Sequence, residues 1–125
     1  MDPTLLASVF LVVMAVATAC FWNAFSHRKV TPRHVRWAIA GASIDLFGTA
    51  AVVVTARVLE WHVPPRFADV ALVHRACAYV VTGWLVLQVV SGALRLPLHR
   101  ASGRPFLALY TITYGLAVWA YAPWW

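Results

Sequence analysis

The sequence predicts an all-α integral membrane protein that folds as an antiparallel four-helix bundle with both termini on the outer side of the membrane. Composition is the first reason, because 62% of the 125 residues are hydrophobic and only 11% are charged, whereas about a quarter of the residues in a soluble domain are charged. The second reason is that apolar runs of about 20 residues, long enough to cross a bilayer, alternate with short basic connectors. We expect residues 1–125 to form a single transmembrane domain.

Each apolar run is interpreted as one membrane-spanning helix. The first contains no charged residue, and the second carries Asp45 near its middle. Two prolines, Pro64 and Pro65, separate the second run from the third because they cannot lie inside a regular helix. Short connectors favour antiparallel neighbours. The predicted helices cover residues 4–26, 37–59, 71–94 and 106–122.

Basic residues predict the orientation of the bundle. The first and third connectors are rich in arginine, whereas Glu60 and Asp69 offset the arginine of the second connector. Cytoplasmic loops carry the excess of lysine and arginine, so we expect a bacterial inner membrane with the first and third connectors at its cytoplasmic face. The net charge of +6 lies in short connectors and not on one face of a polar domain, which argues against a nucleic-acid partner.

The second span carries a seven-residue repeat. His34, Gly41, Gly48, Thr55 and His62 recur at this spacing, which keeps them near one stripe of a helix with a drift of about 20° per heptad. Glycines on a stripe allow another group to approach the backbone closely. Two interpretations remain open, namely packing of a neighbouring helix and a flat cofactor lying over the glycines with a terminal histidine as its ligand.

Asp45 predicts an intramembrane polar cluster. An acidic group in the middle of a span costs at least about 2.5 kcal/mol, so it is expected to face the bundle interior and to have a partner. Gln88, Tyr110 and Tyr114 lie in the same half of the membrane when the predicted spans are aligned. A structural hydrogen-bond network, a proton relay and a partner for cofactor propionates are the alternatives.

The histidines are the candidate cofactor ligands. Haem b in membrane bundles is held by axial imidazoles from two helices, and copper also accepts imidazole. His34 and His99 are expected to pair at the cytoplasmic face, and His62 and His74 at the outer face. We therefore predict His34, His74 and His99 as the main haem or metal ligands, with His62 as a candidate fourth. The sequence has no CxxCH motif, which excludes covalently attached c-type haem.

The order of these motifs resembles a known family. Arg28-Lys29-Val30 precedes His34, then His74 and Gly92 follow on the third span, and HRASGRPFLALYTITYGLAVW begins at His99. This pattern resembles the YozB-like small four-helix membrane proteins, a family of unknown function that includes factors linked to maturation of haem-copper terminal oxidases. The resemblance covers roughly residues 28–121 and implies handling of haem or copper beside respiratory oxidases.

The predicted function is binding of haem b, or of copper as the alternative, in respiratory electron transfer or terminal-oxidase assembly. A non-catalytic accessory subunit of a larger membrane complex and a small proton or ion carrier centred on Asp45 are the other hypotheses. The sequence shows no nucleophile with an adjacent base, no phosphate loop and no metalloprotease motif, so we do not expect an enzyme on its own. The expected partners are membrane lipid and either a larger respiratory complex or a second copy of the chain.

Overall fold

The protein is all-helical over the residues that the structure, a computed structural model, describes, namely 2–58, 60 and 63–122. These residues form four helices and no strand, so the predicted all-α fold with four helices is confirmed. The helices are α1 (Pro3–Ser26), α2 (Thr31–Arg57), α3 (Ala68–Ala93) and α4 (Pro97–Tyr121).

Three of the helices are long and apolar enough to cross a membrane. Within the described residues these spans are Thr4–Ser26, Thr31–Arg57 and Ala68–Ala93. Large apolar side chains point outward from them, including Phe47 at 78% exposure, as expected for surfaces that contact lipid. The fourth helix is more polar, because Arg100 and Arg104 lie in its first turns. These observations support a membrane protein built as a helix bundle.

The helix starts follow from local sequence. The Asp2 carboxylate accepts a hydrogen bond of 2.9 Å from the Thr4 N–H, which caps α1 and lowers the pKa of Asp2. Both α2 and α4 have a proline in their first turn, where the missing N–H would have no helical partner. The boundaries differ from those predicted, since α2 begins at Thr31 and α4 at Pro97, with Pro105 inside α4. His99 therefore lies on a helix and not in a connector.

The helices pack in two tight pairs. α1 lies along α2 and α3 lies along α4, while α1 and α4 share a shorter seam and α2 barely touches α3. Aromatic rings fill the seam between the pairs, because Phe21 of α1 packs edge-to-face on Phe106 and Tyr110 of α4 at centroid distances of 5.5 and 4.8 Å. Edge-to-face contacts of this kind add about 0.5–1.5 kcal/mol to the burial of the rings.

Two glycines of the seven-residue repeat lie against α1. A Cβ atom on Gly41 would be 2.9 Å from Cε1 of Phe21, and one on Gly48 would be 2.8 Å from Cγ1 of Val13. Side chains of α1 therefore occupy the space over both glycines. Close packing of two helices explains this part of the repeat, and the space left by these two glycines is not open to a flat cofactor.

Candidate functional site

His34 and His99 form a histidine pair between α2 and α4. Their ring centroids are 5.8 Å apart and their planes meet at 71°, and both side chains are half-buried. Within the described residues α2 and α4 share no close backbone contact, so side chains alone bridge these two helices. The structure thus brings together the two histidines that were predicted to pair at one face of the bundle.

Both rings of the histidine pair are fixed through Nδ1. His34 Nδ1 is 2.8 Å from the carbonyl oxygen of Ala24, and His99 Nδ1 is 3.0 Å from that of Gln88. A carbonyl oxygen can only accept, so Nδ1 of each neutral ring carries the proton and donates it. The lone pair of each ring is then on Nε2. Metal-binding histidines in proteins typically show this arrangement, in which a carbonyl fixes the tautomer and orients the ring.

Gly92 makes room for the ring of His99. A Cβ atom at this position would lie 3.1 Å from both Cε1 and Nδ1 of that ring. Carbon atoms in ordinary contact are about 3.5–4.0 Å apart. The ring therefore lies against the backbone of α3, where a Cβ atom would displace it by a few tenths of an ångström, and this makes Gly92 a candidate positioning residue for His99.

The separation of the two imidazoles is compatible with two ligands of one metal ion. Metal–nitrogen bonds of about 2 Å allow the centroids of two ligating imidazoles to lie up to roughly 6 Å apart, and the observed separation is 5.8 Å. Within the part of the chain that the structure describes, no group of three or more His, Cys, Asp or Glu side chains is placed to hold a metal ion.

Comparison of the chain with models of known protein families, with curated proteins and with solved structures finds no match. The function of the histidine pair is therefore inferred from its own geometry and from the charges around it.

His74 belongs to a separate place on the bundle. Its Nδ1 atom is 3.0 Å from the carbonyl oxygen of Thr113, so its Nε2 atom is also left as an acceptor. The His74 ring packs edge-to-face with that of Tyr121, at a centroid distance of 5.9 Å. His74 is roughly 20 Å along α3 from Gln88, the residue whose carbonyl contacts His99. His74 is therefore not part of the pair formed by His34 and His99, and its predicted partner, His62, lies outside the described residues.

The predicted polar cluster is reduced to a pair. The hydroxyl of Tyr110 donates to Oδ1 of Asp45 at 2.5 Å, and both residues are buried. Gln88 instead donates to Ser102 at 2.7 Å, which places it beside the histidine pair. Tyr114 is half-buried, and within the described residues no hydrogen bond joins it or Gln88 to Asp45. Asp45 and Tyr110 thus form a second side-chain link between α2 and α4.

Sequence analysis missed the groups that orient the histidines. The carbonyls of Ala24, Gln88 and Thr113 carry no signal of their own in the sequence. Ser102, which accepts a hydrogen bond from the Gln88 side chain, was overlooked because α4 was predicted to begin at residue 106. Predicting a helix from Pro97 onward would have placed Ser102 one turn after His99. The proline at the start of that segment was the available signal.

Proposed function

We propose that the protein binds haem b through His34 and His99 and serves respiratory electron transfer or the assembly of a terminal oxidase. The observation that carries this proposal is a pair of imidazoles from two helices, each with Nδ1 bonded to a backbone carbonyl. His34 and His99 would hold the iron, and bound haem would supply one-electron redox chemistry. The protein would be an antiparallel bundle in a bacterial inner membrane with both termini on the outer side.

The charges near the histidine pair support haem over copper. Arg33 and Arg36 flank His34, Arg100 follows His99, and all three are exposed. Like charges repel, so these cations disfavour a bare copper ion. The two carboxylates of haem, by contrast, form charge-assisted hydrogen bonds with arginine. Copper stays the alternative cofactor.

The proposed setting beside a terminal oxidase rests on the order of the sequence motifs, which resembles that of the YozB-like proteins. Electron transfer to or from a bound haem requires a redox partner, and three helices of this chain are long and apolar enough to lie in a membrane beside one. We therefore propose a larger respiratory membrane complex as the partner, with a second copy of the chain as the alternative.

An absorption spectrum of the purified protein in detergent, oxidised and then reduced with dithionite, tests the proposal. We expect a Soret band and a sharp reduced α-band that are lost in His34→Ala and in His99→Ala. His27→Ala is the matched control, because His27 lies in the turn after α1 and its Nδ1 bonds to Asn23 one turn back. The control and His74→Ala are expected to retain the spectrum.

A colourless sample without copper, purified from cells supplied with haem and copper, would refute binding of either cofactor. Loss of the bands in all four variants, together with loss of helical circular dichroism, would show that the histidines maintain the fold and would also count against a ligand role. Retention of the bands in His99→Ala would exclude the proposed pairing.

Proton transfer through Asp45 is the second candidate function. Its carboxyl group is 8% exposed, lies on a helix that is long and apolar enough to cross a membrane, and is bonded by a tyrosine hydroxyl in place of a cation. Buried acidic groups of this kind occur in proton pathways. Proton flux into liposomes that contain the protein is expected to be abolished by Asp45→Asn with the haem spectrum unchanged, and flux equal to that of empty liposomes in the unchanged protein would exclude this function.

A further inference from the structure

A groove runs along the outer surface where α3 meets α4. It is open on one side and has a volume of about 480 Å³, within the range of roughly 300–1,000 Å³ for sites that hold small molecules. The wall of the groove is mainly apolar. Its lining includes Tyr79, Gly83, Trp84, Leu87, Leu98 and Ser102.

Gly83 gives the groove its depth. A Cβ atom on Gly83 would meet no atom within 4 Å, so the missing side chain leaves a gap in the surface of α3. Tyr79 and Leu87 lie one turn before and one turn after Gly83 and therefore line the same face of the helix. Because α3 is long and apolar enough to cross a membrane, this face would contact the hydrocarbon region, where an elongated apolar group fits.

The end of the groove near the connection between α3 and α4 is polar, and an arginine follows it one turn later in the sequence. Ser91 and Ser102 line this end, and the connection carries Arg95, which is exposed. No acidic residue follows Asp69 in the sequence, so no acidic side chain of this half of the chain neutralises the arginine. An apolar channel that leads to hydroxyl groups and a cation is complementary to an amphiphile with an anionic head.

We propose that this groove is a site for one anionic phospholipid. An acyl chain lies along the face formed by Tyr79, Gly83 and Leu87, and the headgroup phosphate lies at the end that holds Ser102 and Arg95. The site is on the outer surface of α3 and α4, and it does not depend on whether the histidine pair holds haem.

Native mass spectrometry of the detergent-solubilised protein tests the proposal with two added lipids that have identical acyl chains, phosphatidylglycerol and phosphatidylcholine. We expect one tightly bound phosphatidylglycerol and roughly five-fold weaker binding of phosphatidylcholine, the factor expected for one arginine near an anionic headgroup. Gly83→Phe fills the groove and is expected to reduce binding of both lipids. Arg95→Gln is expected to remove the preference for phosphatidylglycerol and to leave binding of phosphatidylcholine unchanged.

Gly115→Phe is the matched control. A Cβ atom on Gly115 of α4 also meets nothing within 4 Å, but Gly115 does not line the groove, so lipid binding is expected to stay as in the unchanged protein. Equal loss in Gly83→Phe and Gly115→Phe would overturn the proposal, as would equal binding of the two lipids. A dimer that carries no bound lipid and becomes monomeric in Gly83→Phe would assign the groove to a second copy of the chain and would also overturn it.

Discussion

Replacing Gly92 with alanine puts a methyl group against the ring of His99. The added Cβ atom would lie 3.1 Å from both Cε1 and Nδ1 of the ring, so the ring has to retreat by a few tenths of an ångström. The ring is held by the hydrogen bond of 3.0 Å from Nδ1 to the carbonyl of Gln88. A retreat therefore weakens the contact that fixes the position of Nε2.

Gly92→Ala is expected to change the free energy of unfolding little and the affinity for the cofactor strongly. Weakening one hydrogen bond costs up to about 0.5–1.5 kcal/mol, while alanine is favoured over glycine by about 0.8–1.0 kcal/mol in a helix interior and by less in the last turn, where Gly92 lies. The two contributions oppose each other, so the free energy of unfolding is expected to change by less than about 1 kcal/mol. Cofactor affinity has no such compensation, and loss of an orienting partner typically lowers it about 10–100-fold.

Two measurements on the same sample check Gly92→Ala. Haem titration of the cofactor-free protein, followed at the Soret band, gives the affinity, and denaturant unfolding in detergent gives the stability. Gly83→Ala is the matched control, because it makes the same substitution in α3 with no atom within 4 Å of the new methyl group. Unchanged haem affinity in Gly92→Ala, at unchanged stability, would refute the assignment of His99 as a ligand oriented by this contact.

Further predictions concern the packing of the bundle. Gly41→Ala is expected to destabilise the protein by about 1–3 kcal/mol, because its methyl group would lie 2.9 Å from the ring of Phe21. Denaturant unfolding measures this loss, with Gly115→Ala as the control. Equal stability of the two variants would contradict the packing of α1 on Gly41. Tyr110→Phe leaves the buried carboxyl of Asp45 without its bond and is expected to cost about 1–3 kcal/mol. Asp45→Asn keeps an acceptor for Tyr110, so a smaller loss of thermal stability is expected, and a larger one would contradict the assigned bond.

Much of the fold could be predicted because the apolar runs and their separators are local signals. The start of α4 was placed too late, since Arg100 and Arg104 were interpreted as a connector although Pro97 is a favourable first-turn residue. In the candidate site, the pairing of His34 with His99 followed from matching depth in the membrane. The role of Gly92 could not be predicted from depth in the membrane, because it depends on which face of α4 meets α3.

The polar cluster shows the limit of reasoning from depth. Asp45, Gln88 and Tyr110 were grouped because they lie in the same half of the predicted spans, yet depth does not say which way a side chain points. Tyr110 meets Asp45 across the bundle, whereas Gln88 meets Ser102 on the neighbouring helix. The rotation of each helix about its axis decides between these outcomes, and packing of side chains such as Phe21 against Gly41 sets that rotation.

The carbonyl partners help to distinguish a ligand role from a purely structural one for the histidines. The carbonyl of Ala24 is in the last turn of α1, where it has no helical N–H partner, so the bond from His34 also caps that helix. The carbonyls of Gln88 and Thr113 lie inside helices and already accept a helical N–H. The bonds from His99 and His74 therefore satisfy no unpaired carbonyl; they join α3 to α4 and orient the two rings. Of these two histidines, His99 has a second histidine ring, that of His34, beside it, which distinguishes His99 as the candidate ligand.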